Sequence, residues 1–138
     1  MSGILASLNF ETTITGDKSL NSRPMKRIID PLSLMGAKIV SNENKAPLTF
    51  KPSQLDGINF DMNISSAQVK SCIMLAGLNS QSKTTISQPS LSRDHTERML
   101  KGMGAKIKTN ELDIFIEPSK LNSVDLTVPG DISSASFW

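Results

Sequence analysis

Apolar positions along the chain recur with two different periods, and the changes of period predict where strands give way to helices. Glu11 to Thr15, with its β-branched Thr-Thr-Ile-Thr core, reads as a strand that ends in a turn at Gly16-Asp17. Arg23 precedes a proline and is biased toward extended backbone, and Pro24 suits a first helical position. A helix is therefore predicted from there to Met35, stopped by Gly36, with a kink or break at Pro31. Short strands are predicted at Ala37–Ser41, Leu48–Lys51 and Ile58–Ile64, where Phe60, Met62 and Ile64 alternate with polar neighbours. From Ser66 to Leu78 the spacing becomes helical: Val69, Cys72, Ile73 and Ala76 form one apolar stripe that should face a core.

Beyond that helix the order recurs. Lys83–Gln88 reads as a strand, Ser92-Arg93-Asp94 opens a helix ending near Gly102–Gly104, and Ala105–Thr109, Asp113–Glu117 and Val124–Val128 read as strands. Ser133-Ser134-Ala135 then starts another helix. Parts of the repetition are literal. MGAKI occurs at Met35–Ile39 and Met103–Ile107, and Ser65-Ser66-Ala67 recurs at Ser133-Ser134-Ala135, both at an offset of 68 residues. Pro52-Ser53-Gln54-Leu55 has its counterpart in Pro118-Ser119-Lys120-Leu121 at an offset of 66, which one small loop insertion would explain. These offsets predict an internal duplication of a β-α-β-β-β-α unit, at about 11–79 and 83–138, too long a period for a solenoid. Copies that each carry an apolar helix face should share one core, so the expected fold is α+β, with helices packed inside and sheets outside. Met1–Leu8 has a helical pattern with no N-cap, and Phe137-Trp138 would leave two large apolar residues exposed. A piece of a longer protein, truncated at both ends, is expected.

The junction Asn63–Ser71, where strand runs into helix, is the first candidate for chemistry. Ser65 is expected as the N-cap, with Gln68 completing an S-x-x-Q capping box. Two uses of such a start stay open: its polar groups satisfy the helix's own backbone, or Ser66, Gln68 and the positive helix end cradle an anion. Basic residues collect at the helix starts: Arg23 and Arg27 at the first, Lys70 after Gln68, and Arg93 and Arg98 with His95 at the third. If the copies are related by rotation, these starts converge. A helix terminus gives an anion about 0.3–1 kcal/mol, and up to roughly 2 when partly buried, while a charged hydrogen bond adds roughly 1.5–3. Two such contacts reach about millimolar affinity, so a metabolite site needs groups from beyond this chain. Asp94, Glu97 and Arg98 are expected in cap and i,i+4 contacts, and His95 in a structural or solvent-facing role.

Composition narrows the remaining classes. A net charge of +2 argues against a polyanion-binding tail and a membrane-surface peptide, and 4% aromatics supplies few stacking platforms for single-stranded nucleic acid. Cys72 is the only cysteine and His95 the only histidine, so neither a Cys/His metal cluster nor a Cys-His dyad is expected. The lone cysteine also fits a reducing compartment. No apolar run approaches the roughly 20 residues of a membrane span.

Five motifs in order carry a resemblance: GDKSLNSRPM (Gly16–Met25), PLSLMGAKI (Pro31–Ile39), SSAQVKS (Ser65–Ser71), LSRDHTERML (Leu91–Leu100) and VPGDISSASF (Val128–Phe137). Together they resemble the middle of the 5-enolpyruvylshikimate-3-phosphate synthase family, in its bacterial forms, over nearly the whole chain. The resemblance implies one part of a two-domain cytoplasmic enzyme of aromatic amino acid biosynthesis, each domain built from three βαβαββ-type units. It implies transfer of the enolpyruvyl group of phosphoenolpyruvate to the 5-hydroxyl of shikimate 3-phosphate, with no metal or organic cofactor, by a protein that is a monomer at full length. Arg23 then matches an arginine that grips phosphoenolpyruvate. Ser66 and Gln68 match residues holding shikimate 3-phosphate, with Gln68 also near the donor and Ser65 adjacent; Arg93 matches a contact to the shikimate phosphate. The family's N-terminal Lys-Ser pair and Arg, its N-A-G-T loop and the charged residues of its other domain have no counterpart here. Since its general acid and base lie in those parts, the chain alone is expected to show no turnover. A UDP-N-acetylglucosamine enolpyruvyl transferase is the alternative within the fold, disfavoured by RDHTE; a phosphate- or RNA-binding module is the alternative outside it.

Overall fold

The computed structural model describes residues 1–127 and 130. The anticipated helix start at Ser133-Ser134-Ala135, Asp131 and the end of the Val124–Val128 strand lie outside the described residues. In chain order the elements are α1 (Ser2–Leu5), β1 (Thr12–Ile14), α2 (Lys18–Asn21), α3 (Lys26–Leu34), β2 (Lys38–Asn42), β3 (Lys45–Lys51) and β4 (Asn59–Asp61). They continue with α4 (Ala67–Gly77), β5 (Thr84–Ser87), α5 (His95–Gly102), β6 (Ile107–Asn110) and β7 (Asp113–Ile116).

Two sheets flank the helices. The first is antiparallel, in the order β1-β3-β2, and the second has the order β4-β5-β7-β6, in which β4 alone runs parallel to its neighbour. The β-branched run of β1 pairs with β3, where the hydroxyls of Thr13 and Thr49 meet across the strands at 2.8 Å. In β3, Ala46, Leu48 and Phe50 point inward while their neighbours are more exposed, and in β7 Ile114 and Ile116 do the same. β4 follows the first sheet in the chain yet joins the second.

The literal repeat MGAKI forms the same cap twice. After α3, Gly36 turns left-handed at φ +96, its N–H reaching Ser33 O at 2.9 Å and that of Ala37 reaching Leu32 O at 2.9 Å. After α5, Gly104 at φ +87 repeats this, with Gly104 N–H to Lys101 O at 3.1 Å and Ala105 N–H to Leu100 O at 2.9 Å. Both are Schellman caps, in which a residue free of Cβ satisfies the last carbonyls of a helix. The carbonyls of Met35 and Met103 then accept from Asp56 and Asn122, each at 2.8 Å. The change of offset falls inside the first hairpin, not in a loop: the β2–β3 register slips between Val40 and Asn42, whereas β6–β7 runs without a slip.

α4 is the centre. Its buried residues include not only Val69, Cys72, Ile73 and Ala76 but also Lys70, Met74 and Gly77, because α1, α3 and β5 pack on different sides of it. The single apolar face expected is thus an underestimate. Gly3 permits the closest of these contacts, since a Cβ there would overlap the Cys72 carbonyl. Fully burying side chains such as Ile73, Met74, Leu32 and Ile86 contributes roughly 1.5–3 kcal/mol each, in one core shared by the helices and both sheets.

Several local expectations are corrected. α3 continues through Pro31 without a break, because Ile29, Pro31 and Leu32 are all buried and Met35 N–H still reaches Pro31 O at 3.1 Å. Pro24 lies before α3, whose N-cap is Met25. Gly16-Asp17 is more than a turn: Asp17 Oδ1 accepts from Leu20 N–H at 2.7 Å and caps α2, a helix the sequence reading lacked. β4 ends at Asp61, leaving Ile64 79% exposed rather than alternating inward. Val124–Thr127 forms no strand; β4 is held by β5, and no described strand stands in the corresponding place for Val124–Thr127.

Candidate functional site

The site is built on the first turn of α4. Its N-cap is Ser66, one residue later than expected: the Ser66 backbone is extended and its Oγ accepts from Val69 N–H at 3.3 Å. The S-x-x-Q capping box is therefore absent, and Gln68 is free to face outward from the first turn. Ser65 is engaged elsewhere. Its hydroxyl donates to Ser90 O at 2.6 Å and accepts from Ser90 N–H at 3.0 Å, fastening the start of α4 to the segment before α5. The Ser66 hydroxyl keeps its own proton for a ligand, since a hydroxyl both donates and accepts. The first-turn N–H groups of Ala67 and Gln68 have no carbonyl ahead of them in the helix, so they present the positive end of the dipole.

Gln68 and Arg93 line one cleft of about 440 Å³, whose wall also carries Ser71, His95 and Thr96. That volume falls within the range of small-molecule sites. Arg27, on α3, reaches Gln68 from the other side, its Nη2 donating to Gln68 Oε1 at 3.5 Å. Ser66 lines an adjoining cavity of about 320 Å³ together with Arg27. Arg27 thus lines the second space and touches the first only through Gln68. Arg23 is exposed in the bend before α3 and lines neither cavity, so of the anticipated arginines it is Arg93 that shares a wall with Gln68.

Two charged residues take roles other than those expected. Lys70 is no anion ligand: its side chain is 1% exposed, and Nζ lies 2.5 Å from Glu97 Oε1, across from α4 to α5. Glu97 accordingly pairs between elements rather than along its own helix, while Asp94 occupies the N-cap position of α5 with no side-chain capping bond. Arg98 lines a separate cavity of about 240 Å³ on the far side of that pair. Cys72 borders the main cleft, and burial pushes its thiol up to about 11 against the opposing pull of the Met1 ammonium and the Gly3 N–H, so it stays protonated and unreactive near neutral pH. Among the described residues no group of three or more His, Cys, Asp or Glu side chains is placed to hold a metal ion, and no helix is long and apolar enough to cross a membrane.

His95 is exposed at the start of α5, as expected, and stands in the wall of the cleft, while Arg27 is the arginine that reaches Gln68. The two occupy corresponding places at the same offset of 68 residues as MGAKI; Arg27 reaches Gln68, and His95 lines the same cleft as Gln68. That correspondence was the available signal.

By its fold the chain is an α+β protein whose helices and two sheets share one core, and the first turn of its central helix opens on a cleft. The family model described as EPSP synthase (3-phosphoshikimate 1-carboxyvinyltransferase) matches residues 1–138, and the chain belongs to that family. It is 51% identical over 140 residues to the 3-phosphoshikimate 1-carboxyvinyltransferase of Vesicomyosocius okutanii, covering 100% of this chain and 32% of that relative. The corresponding protein of Thermodesulfovibrio yellowstonii is 52% identical over 142 residues, covering 100% and 33%. A 2.37 Å structure of EPSP synthase from Acinetobacter baumannii superposes with a TM-score of 0.90 at 44% identity, over 99% of this chain and 32% of that one. The chain spans about a third of the length of the curated relatives it matches.

Proposed function

We propose that this chain supplies part of the substrate-binding half-site for enolpyruvyl transfer from phosphoenolpyruvate to the 5-hydroxyl of shikimate 3-phosphate, within a cytoplasmic enzyme. It does so as a partial enolpyruvyl transferase domain of about two repeats, near 11–79 and 83–138, acting with the remaining parts of the same enzyme. The observation that carries this reading is the sharing of one cleft, at the start of α4, by Gln68 and Arg93. A phosphorylated hydroxy acid needs that combination: a guanidinium for the phosphate and an amide for ring hydroxyls, beside first-turn N–H groups. In this role Ser66, Gln68 and Arg93, with Ser65 beside them, hold shikimate 3-phosphate, and Gln68 with Arg23 addresses phosphoenolpyruvate.

The chain's own groups bind and orient; none is set up to move the protons of the reaction. Transfer requires removal of the proton from the acceptor hydroxyl and delivery of one to the methylene carbon of the donor. The chain spans about a third of the length of the relatives it matches, the resemblance assigns the acid and base to parts with no counterpart here, and Cys72, at the cleft, is held protonated. The isolated chain therefore binds without turnover. Calorimetric titration with shikimate 3-phosphate, UDP-N-acetylglucosamine and a short oligonucleotide tests the assignment, alongside a phosphate-release assay with both substrates. Binding of shikimate 3-phosphate alone, near or weaker than about millimolar, is the expected result. Preference for either of the other ligands, or phosphate release by the isolated chain, would overturn it.

A further inference from the structure

We infer that Lys70 and Glu97 form a positioning pair that fixes the separation between Gln68 and Arg93. This rests on the half-site reading above and deepens it. Lys70 lies two residues after Gln68 on α4, and its ammonium touches the other segment on both sides of Arg93: Ser92 O at 3.5 Å and Glu97 Oε1 at 2.5 Å. Two further polar links join the same segments. Ser65 is bonded to Ser90, and the hydroxyls of Ser71 and Thr96 meet at 2.6 Å. The two residues proposed to hold one ligand thus sit on pieces of chain joined through four residue pairs, Ser65–Ser90, Lys70–Ser92, Lys70–Glu97 and Ser71–Thr96, with the only buried ion pair among the described residues at the centre.

The chemistry of the pair points to geometry rather than stability. A buried ion pair generally gives no more stability than apolar residues of the same size, because both charges leave water. Glu97 Oε2 is buried with no partner, so even the available stabilisation is incomplete. What an ammonium supplies and a methyl group does not is direction. It holds a carbonyl and a carboxylate at fixed angles, and so sets where the backbone of residues 92–97 passes the start of α4. A ligand that bridges Gln68 and Arg93 senses that placement, whereas an anion held by Arg93 alone does not.

The test uses the whole chain carrying Lys70→Met with Glu97→Leu, a replacement that keeps the volume and removes both charges. Affinity for shikimate 3-phosphate is expected to fall about tenfold, the loss of one well-directed hydrogen bond, while affinity for inorganic phosphate changes by less than about twofold. Glu97→Gln, which keeps a hydrogen bond to Lys70, should lose less than about threefold in affinity while folded, although its unpaired Lys70 charge lowers stability. In the ligand-free chain, exchange of the Ser90 amide proton, bonded to Ser65 Oγ, should accelerate about tenfold in the apolar variant as the two segments separate. Unchanged shikimate 3-phosphate affinity in a folded variant, or equal losses for both ligands, would overturn the inference. If the unmodified chain binds no shikimate 3-phosphate, the half-site reading fails, and Ser90 exchange still decides whether the pair fixes the segments; unchanged exchange there refutes it.

Discussion

Removing only one member of the buried pair should cost far more than removing both. In Lys70→Met the thioether fills much of the space of the lysine stem, but Glu97, whose side chain is 8% exposed, keeps its charge and loses its one close cation. Breaking a buried pair in this way costs about 3–5 kcal/mol, a third or more of the roughly 5–15 kcal/mol that holds a domain of this kind together. Replacing both partners by apolar residues is expected to be neutral or stabilising by about 1–4 kcal/mol. Urea unfolding followed by circular dichroism at pH 7, on the chain, both single variants and the double, closes the cycle and gives the coupling directly. At about 2–8 °C per kcal/mol the single lysine variant should also melt at least about 6 °C lower. The reasoning is refuted if Lys70→Met costs less than about 1 kcal/mol, or if the double variant is less stable than that single one.

Three other changes follow from the packing. Gly3→Ala drives a methyl group into the Cys72 carbonyl, so α1 should detach from α4 at a cost of about 1–3 kcal/mol, read as faster amide exchange at Leu5 and Ala6. Gly36→Ala forces φ +96 on a residue with a Cβ that meets Gln54 O at 3.0 Å, whereas at Gly104 the nearest atom is the movable Asn122 side-chain nitrogen at 2.9 Å; chemical denaturation should rank Gly36→Ala as the costlier, each losing roughly 1–2 kcal/mol. Because burial holds the Cys72 thiol up at about 11 and an unfolded thiol titrates near 8.5, the folded chain keeps a proton that the unfolded chain releases. Its contribution is intact below about pH 8.5 and is lost as pH rises toward 11, on the order of 3 kcal/mol; Cys72→Ala should flatten the stability profile over that window.

Much of the architecture was legible because it is local. The Met-Gly-Ala run predicts a left-handed stop wherever it occurs, and both copies make one. The helix after Ser66 follows from four apolar positions, and the strands from β-branched runs whose partners lie in nearby hairpins. What sequence reading missed was decided at a distance. Ser65 and Ser66 are chemically equal candidates for the cap, and the choice falls to Ser66 because the backbone of Ser90 takes the other hydroxyl. Lys70 reads as a surface cation until Glu97 is brought against it, and nothing within one helical turn of either residue announces the other. Pro31 reads as a break because the burial that compensates its missing N–H comes from α4 and the sheets, not from its own helix. At the site, the convergence of Gln68 with Arg93 was anticipated from the repeated helix starts, while Arg23 stands apart from that cleft and Arg27 takes the place beside Gln68.

The most direct measurement of the central claim is a map of backbone amide shifts as shikimate 3-phosphate is added to the chain. Shifts confined to Ser66–Ser71 and Arg93–Thr96, with a weaker response at Arg27, are the predicted result. Shifts centred instead on the lysine-bearing face at Lys101–Lys108, or scattered without saturation, would contradict it.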